Sequence, residues 1–253
     1  KLESNLIHFK TDLAFLKIHN GLRLLKMHLL LSPTHGGKST LVRSVVFDML
    51  KNNKLIKILI ILSEETIEEF KAEFSKTFPA HEILENVTLI SEQDGCNSIE
   101  DTKINIKEAI EMSDCEIVFY DNITTSTLYP DDFKTQESTA LWLKALSKKI
   151  TLFLIAHTND NSGSSKLLTE SDIRGSKKLP NLVEFLYILQ PIMVGNTMFQ
   201  FINIRKHRGQ ETENKMFRLF YDPYHSIFKN DKGVNFEDVK EVFLQRNKLD
   251  DKR

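Results

Sequence analysis

Cysteine is nearly absent from this 253-residue chain, and the two it has, Cys96 and Cys115, show neither metal-ligand spacing nor a disulfide framework. That excludes a small stapled secreted scaffold and predicts a reduced, intracellular protein. Long apolar runs are also missing. Nothing approaches the ~20 residues of a membrane-spanning helix, and the opening Lys1-Leu2-Glu3-Ser4 is not a secretory signal. No membrane partner is expected, and the expected location is the cytoplasm of a bacterial cell, with the gene belonging to the bacterium, a phage or a plasmid. An excess of either charge is lacking too. The 34 basic and 35 acidic residues leave a net of −1, which excludes a nucleic-acid coat or membrane-surface protein, so any nucleic-acid contact must be local, on loops. Internal repeats and long low-complexity tracts are absent. The initiator methionine is missing as well, so the sequence reads as a trimmed chain or the later part of a longer one. The length suits one α/β domain with terminal extensions.

What is present begins with Ser32-Pro33-Thr34-His35-Gly36-Gly37-Lys38-Ser39-Thr40. An apolar run, Met27 to Leu31, precedes it, and apolar residues at helical spacing follow from Leu41, giving the strand, loop and helix of a phosphate-binding P-loop. Successive backbone N–H groups and the positive helix end would face an anion, Lys38 would reach the terminal phosphates and Ser39 would ligate Mg²⁺. His35, Gly36, Gly37 and Thr40 complete the candidate nucleotide-binding stretch. Ser32 stands where the pattern has its first glycine, a small residue in a turn that glycine would relieve.

Three further apolar runs read as buried strands: Lys57 to Leu62, Glu116 to Asp121 and Thr151 to His157. Helical patterns at 101–112 and 135–148 lie between them, so strands alternate with helices as in a mostly parallel sheet covered on both faces. Ligands bind at the carboxyl ends of such strands. Asp121 at one end could hold Mg²⁺ through a water, or cap the following loop. Glu64 and Glu65 stand at another, where a carboxylate could polarise an attacking water. Glu64 is favoured, and the alternative is a pair of acids complementing a helix N-terminus. Thr66 and Glu69 have the spacing of a capping box. His157 either serves structure or senses a γ-phosphate by hydrogen bonding. The polar loop from Thr158 to Ser171 is too long for a mere connection. Lys206-His207-Arg208-Gly209 is either a solvated turn or a source of phosphate stabilisation by Arg208.

At the N-terminus, Leu6, Phe9, Leu13 and Leu16 fall on one helical face, ended by Asn20-Gly21. That helix would lie on its own domain or dock on a neighbouring subunit. From about Asn181 the pattern turns to hairpin-like strands, Leu182 to Leu189, Met198 to Lys206 and Met216 to Tyr221, which should extend the sheet in antiparallel fashion. The expected division is a linker or helical segment at 1–26, an ATPase domain at 27–229 and a charged tail at 230–253 with a short helix at Phe236 to Leu244.

The order of these pieces resembles the RecA-fold ring helicases, above all the DnaB-type replicative helicases and the helicase half of phage primase-helicases. The resemblance rests on Ser32 to Thr40, Leu62 to Glu69, Phe119-Tyr120-Asp121, Ile155 to Asn159, Asp172-Ile173-Arg174-Gly175-Ser176 and Lys206-His207-Arg208, and spans roughly 22 to 229. Ser32 is similar to the plasmid RepA branch. The resemblance implies a RecA-like core that hydrolyses ATP or another NTP with Mg²⁺, in a homo-oligomer, expected to be a hexameric ring, moving 5′ to 3′ on single-stranded DNA. It implies that Lys38, Ser39 and Asp121 hold phosphate and metal and that Glu64 is the catalytic base. His157 would link the γ-phosphate to the DNA-facing loop, and Arg208, with Lys206 as companion, would complete a neighbouring subunit's site. Lys166 and Arg174 would contact DNA, and a primase or loader would be a further partner. No primase or loader-binding domain precedes the core, so assembly would rest on the short N-terminal segment or a partner. The loop has few basic residues, which predicts modest DNA affinity, since phosphate contacts dominate that affinity. The alternative is an assembly, loader or regulatory ATPase of the same fold that unwinds nothing.

Overall fold

The four apolar runs become neighbouring strands because each is apolar on both sides of its pleat, and only a sheet covered on both faces buries both sides. The computed structural model describes residues 8–76, 85–92, 98–159, 167–194, 197–207 and 215–234. The chain begins with β1 (His8–Phe9), α1 (Ala14–Lys17) and β2 (Leu22–Arg23). The core follows as β3 (Met27–Ser32), α2 (Lys38–Asn52), β4 (Ile58–Leu62), α3 (Ile67–Ser75), β5 (Val87–Ser91), α4 (Ile99–Ser113), β6 (Ile117–Asp121), α5 (Phe133–Leu146) and β7 (Thr151–His157). It ends with α6 (Lys178–Leu182), β8 (Phe185–Val194), β9 (Thr197–His207), β10 (Met216–Asp222) and β11 (Ile227–Val234).

The main sheet has nine strands in the order β11-β10-β9-β8-β3-β7-β6-β4-β5. From β8 to β5 neighbours run parallel, and β9, β10 and β11 are added antiparallel. Side chains alternate between two cores, as the pleat requires. Leu30, Ile60, Phe119 and Ile155 face α2 and α3, while Leu29, Leu31, Ile61, Tyr120 and Leu154 face α4, α5 and α6. The Thr66 capping box is present: its hydroxyl accepts from Glu69 N at 3.2 Å while the Glu69 carboxylate accepts from Thr66 N at 2.9 Å. Among the described residues no helix is long and apolar enough to cross a membrane.

The N-terminal segment differs from the expected single helix. Phe9 pairs with Leu22 in a two-stranded sheet, and among the described residues of this segment the helix is Ala14–Lys17, with Leu13 as its extended N-cap; Leu6 lies outside the described residues. Hydrogen bonds to α2 and the residue after it hold the backbone extended. Lys10 N donates to Asn53 Oδ1 at 3.1 Å, Asp12 N donates to the Asp48 carboxylate at 3.0 Å, and the Thr11 hydroxyl donates to the same carboxylate. The apolar spacing is still used, since Phe9, Leu13 and Leu16 all enter the core. The boundary expected at 229 falls inside β11, whose Asn230 accepts from Ala14 N at 2.6 Å and donates to Asp12 O at 2.6 Å. The helix expected at Phe236 to Leu244 lies outside the described residues.

β3 also carries a buried histidine whose titration sets an acid limit on the fold. The His28 ring stacks on Phe185 with centroids 4.4 Å apart. Its Nε2 lies 2.9 Å from Arg23 O, a pure acceptor, so Nε2 carries the proton and Nδ1 accepts from the Tyr187 hydroxyl at 3.4 Å. Burial pushes His28 from 6.5 down to about 4. The folded value lies below the unfolded one, so this contribution to stability is complete above about 6.5 and drains as pH falls toward about 4. Between pH 7.5 and 4.5 His28 alone should cost about 2.5 kcal/mol. In chemical denaturation at both pH values, His28→Phe should lose less stability than the parent by about that amount. Equal losses in parent and variant would show that His28 does not set the limit.

Candidate functional site

Strand order brings the chemistry together. β3, β7, β6 and β4 are consecutive in the sheet, and at their carboxyl edge Ser32 pairs with His157 and Leu62 with Asp121. Thr158 N donates to Ser32 O at 3.1 Å and Ser63 N to Asp121 O at 2.9 Å, so the loops leaving these strands stay stitched to one another.

The chain turns from β3 into α2 through His35 at φ 59° and Gly37 at φ 85°. Ser32 is fully buried and its hydroxyl turns toward Pro33 O at 3.4 Å. A Cβ added at Gly36 would stand 2.2 Å from that hydroxyl oxygen and 2.9 Å from the Pro33 carbonyl oxygen, and the backbone oxygen cannot turn away, so the loop needs glycine at 36. At Gly37 an added Cβ would meet the Phe228 ring of β11 at 3.0 Å, in a backbone conformation that side chains rarely adopt. No side chain caps α2, so the N–H groups of its first turn have no side-chain acceptor there. The loop thus offers a concave row of backbone donors that side chains would fill, which is the space a phosphate chain needs.

Lys38 opens α2, is 7% exposed, and donates from Nζ to Pro33 O at 3.4 Å. Burial lowers its pKa, opposed by the charges of Asp121 and Glu64. Asp121 is buried at the end of β6; burial raises its carboxyl, and a hydrogen bond with the Ser39 hydroxyl and the charge of Lys38 counter that. Ser39 and Asp121 therefore present adjacent oxygens, a donor set that fits a hard divalent cation such as Mg²⁺ with water completing its shell.

Glu64 is fixed by two donors. His157 Nε2 lies 3.1 Å from Glu64 Oε1 and 3.0 Å from Asn122 Nδ2. Asn122 Oδ1 accepts from the Thr124 hydroxyl at 2.8 Å and Thr125 N at 3.1 Å, which fixes its amide nitrogen as the group facing Glu64 and His157. An ionised Glu64 can only accept, so the proton sits on Nε2 and is donated to Glu64; the Asn122 amide, also a donor, turns to Glu64 rather than to the ring, and Nδ1 accepts from the Thr34 hydroxyl at 3.4 Å. The His157 hydrogen bond, helped by Asn122 and the charge of Lys38 against partial burial, holds Glu64 down to about 2. Glu65 has the opposite environment. Burial pushes it up to about 7, against the charge of Arg43, whose Nη1 lies 3.8 Å from Glu65 Oε1.

An open cavity of about 760 Å³ lies over these groups. Thr34, His35 and Gly37 to Thr40 form one wall, and Glu64, His157 and Arg174 the other. Arg174, expected to face DNA, lies on this wall, its backbone N–H donating to His157 O at 2.9 Å. Lys206 lies elsewhere. It pairs with Leu186, which pairs with Leu29 in the first half of β3, and its Nζ donates to Pro180 O at 3.1 Å and Asn181 O at 3.0 Å. It does not line the cavity of its own chain, so any role at a nucleotide would be in another copy. Arg208 and Lys166 lie outside the described residues. Asn122 and Arg43 belong to the site without having been expected there, and Thr34, inside the expected loop, had been given no role of its own. The one signal for Asn122 was its place directly after Asp121.

No family model matches the sequence, and no curated protein matches it. Among solved structures it is similar to the KaiC-like protein PH0186 from the hyperthermophilic archaeon Pyrococcus horikoshii OT3, at 14% identity and a TM-score of 0.70. The match covers 88% of this chain and 99% of that one. At that identity the likeness concerns the fold alone. The chain has the expected RecA-like α/β fold, a mostly parallel sheet with antiparallel C-terminal strands.

Proposed function

We propose that this chain hydrolyses ATP or another nucleoside triphosphate in the 760 Å³ cavity and uses the reaction to move along single-stranded DNA, the work of a replicative ring helicase. The observation that carries this is the convergence of Lys38, Ser39, Asp121, Glu64 and His157 on one carboxyl edge. The backbone row at Gly36 to Lys38 would hold the phosphates and Lys38 would neutralise the terminal ones. Ser39 and Asp121 would hold Mg²⁺, which when bound neutralises charge on the β- and γ-phosphates. Glu64 would orient the attacking water. While His157 and Asn122 donate to it, Glu64 is a weak proton acceptor; a γ-phosphate that draws His157 away would raise its basicity. The polar stretch between Asn159 and Arg174 leaves and re-enters at His157, which would tie the phosphate to a DNA-facing loop. Arg208 would complete the site of an adjacent copy.

Hydrolysis measured with and without oligo-dT tests this. Single-stranded DNA should raise turnover at least several-fold, a forked duplex should be unwound, and Arg208→Ala should lose ~10³-fold of the stimulated rate if it acts as an arginine finger. Turnover indifferent to DNA would favour the second reading, a nucleotide-driven assembly or regulatory ATPase without unwinding. The few basic residues of the loop speak for that reading.

A further inference from the structure

We infer that Arg43 and Glu65 form a positioning pair that ties the turn carrying Glu64 to the P-loop helix, an inference that rests on the hydrolytic reading above. The turn from Ser63 to Thr66 is held in three directions. Ser63 Oγ donates to Asn122 O at 2.8 Å, anchoring the turn to the end of β6. Thr66 anchors it to α3 through the capping box. Glu65 reaches α2, where the Arg43 guanidinium bridges two groups, with Nη1 3.8 Å from Glu65 Oε1 and Nη2 donating to the Thr40 hydroxyl at 3.3 Å. Thr40 directly follows Ser39, so the bridge runs from the phosphate-binding turn to the residue beside the hydrolytic carboxylate.

A surface ion pair would not do this, because water would loosen it. Here the Arg43 side chain is only 8% exposed and that of Glu65 23%. Arg43 Nε and Glu65 Oε2 are buried without a hydrogen-bond partner among the described residues. At 3.8 Å the pair is an ion pair short of a hydrogen bond and Glu65 Oε2 still lacks a donor, so a closer Arg43–Glu65 contact through Nη1 is geometrically at hand. Burial already disfavours a charged Glu65, and the charge of Asp121 adds to this. Positive charge arriving at Ser39 and Asp121 would favour the ionised, tightly paired form and draw the Glu64 turn toward α2. Glu65 would then act through Glu64 without touching the substrate.

Steady-state hydrolysis by the parent, Glu65→Gln, Glu65→Asp, Arg43→Glu and the exchanged double variant Arg43→Glu/Glu65→Arg tests the inference. Glu65→Gln keeps the shape and removes the charge, so its kcat should fall ~10-fold or more while the KM for nucleotide stays within about twofold, as a misplaced catalytic group predicts. Glu65→Asp should recover part of the rate, and the exchanged pair should exceed Arg43→Glu alone. Parent-like kcat in Glu65→Gln, or a rate loss matched by loss of nucleotide binding and of the thermal transition, would overturn the pair as a positioning device. A parent that hydrolyses nothing would instead overturn the hydrolytic reading and this inference with it.

Discussion

Replacing Lys38 with alanine should lower nucleotide turnover by ~10²- to 10³-fold and weaken triphosphate binding, with the fold intact. The expected size follows from where the ammonium sits. Lys38 is 7% exposed, and among the described residues its Nζ makes one weak hydrogen bond, to the Pro33 carbonyl at 3.4 Å. Burial disfavours its charge even with Asp121 and Glu64 nearby. A cation kept under such conditions gives most of its stabilisation to an anion that is not yet there, and a water-excluded setting makes that interaction stronger than it would be in bulk solvent. The same burial means that truncating Lys38 removes a strained charge, so the melting temperature should hold within a few degrees. Isothermal titration with a non-hydrolysable triphosphate and a thermal melt on the same sample check both halves. Parent-like turnover in Lys38→Ala would remove the phosphate chemistry from this loop.

Glu64→Gln should separate binding from chemistry. Its amide oxygen can still accept from His157, so nucleotide affinity should stay close to that of the parent while turnover falls ~10²- to 10⁴-fold. Glu65→Gln should fall far less. The contrast matters because the two neighbours occupy opposite environments: Glu64 is held down to about 2 by donors, while burial pushes Glu65 up to about 7. Glu64 is ionised throughout the neutral range and faces the cavity; Glu65 turns to Arg43 and does not line it. Single-turnover hydrolysis with saturating nucleotide isolates the chemical step. A larger loss in Glu65→Gln than in Glu64→Gln would reverse the two roles.

The strands that build the site were legible because each is apolar on both faces and ends in a polar residue or, for β4, runs straight into the polar Ser63-Glu64, a pattern that survives without knowledge of partners. Ser32, Asp121 and His157 could be placed at strand ends from the sequence, and Glu64 just beyond one, but their adjacency could not, since it depends on the strand order β3-β7-β6-β4. β5 escaped notice because Val87-Thr88-Leu89-Ile90-Ser91 is short and half polar, as suits an edge strand. The N-terminal periodicity pointed to a helix because Phe9, Leu13 and Leu16 do share a buried side, yet hydrogen bonds to Asp48 and Asn53 overrode the helical option. Arg43 was invisible for a different reason. A charged residue on an amphipathic helix reads as solvated, whereas Arg43 is buried, with Glu65 of the 63–66 turn beside it.

Phe228 of β11 packs beneath Gly37, and its backbone N–H donates to the Ser44 hydroxyl at 2.7 Å across 184 residues of sequence. Asn230 beside it reaches Ala14 and Asp12 across 216 and 218. A ribosome therefore finishes the phosphate loop long before it delivers the strand that supports it. A nascent chain halted before β11 would carry every residue of the motif over an unfilled floor, so nucleotide competence should wait for β11 rather than appear with the loop itself.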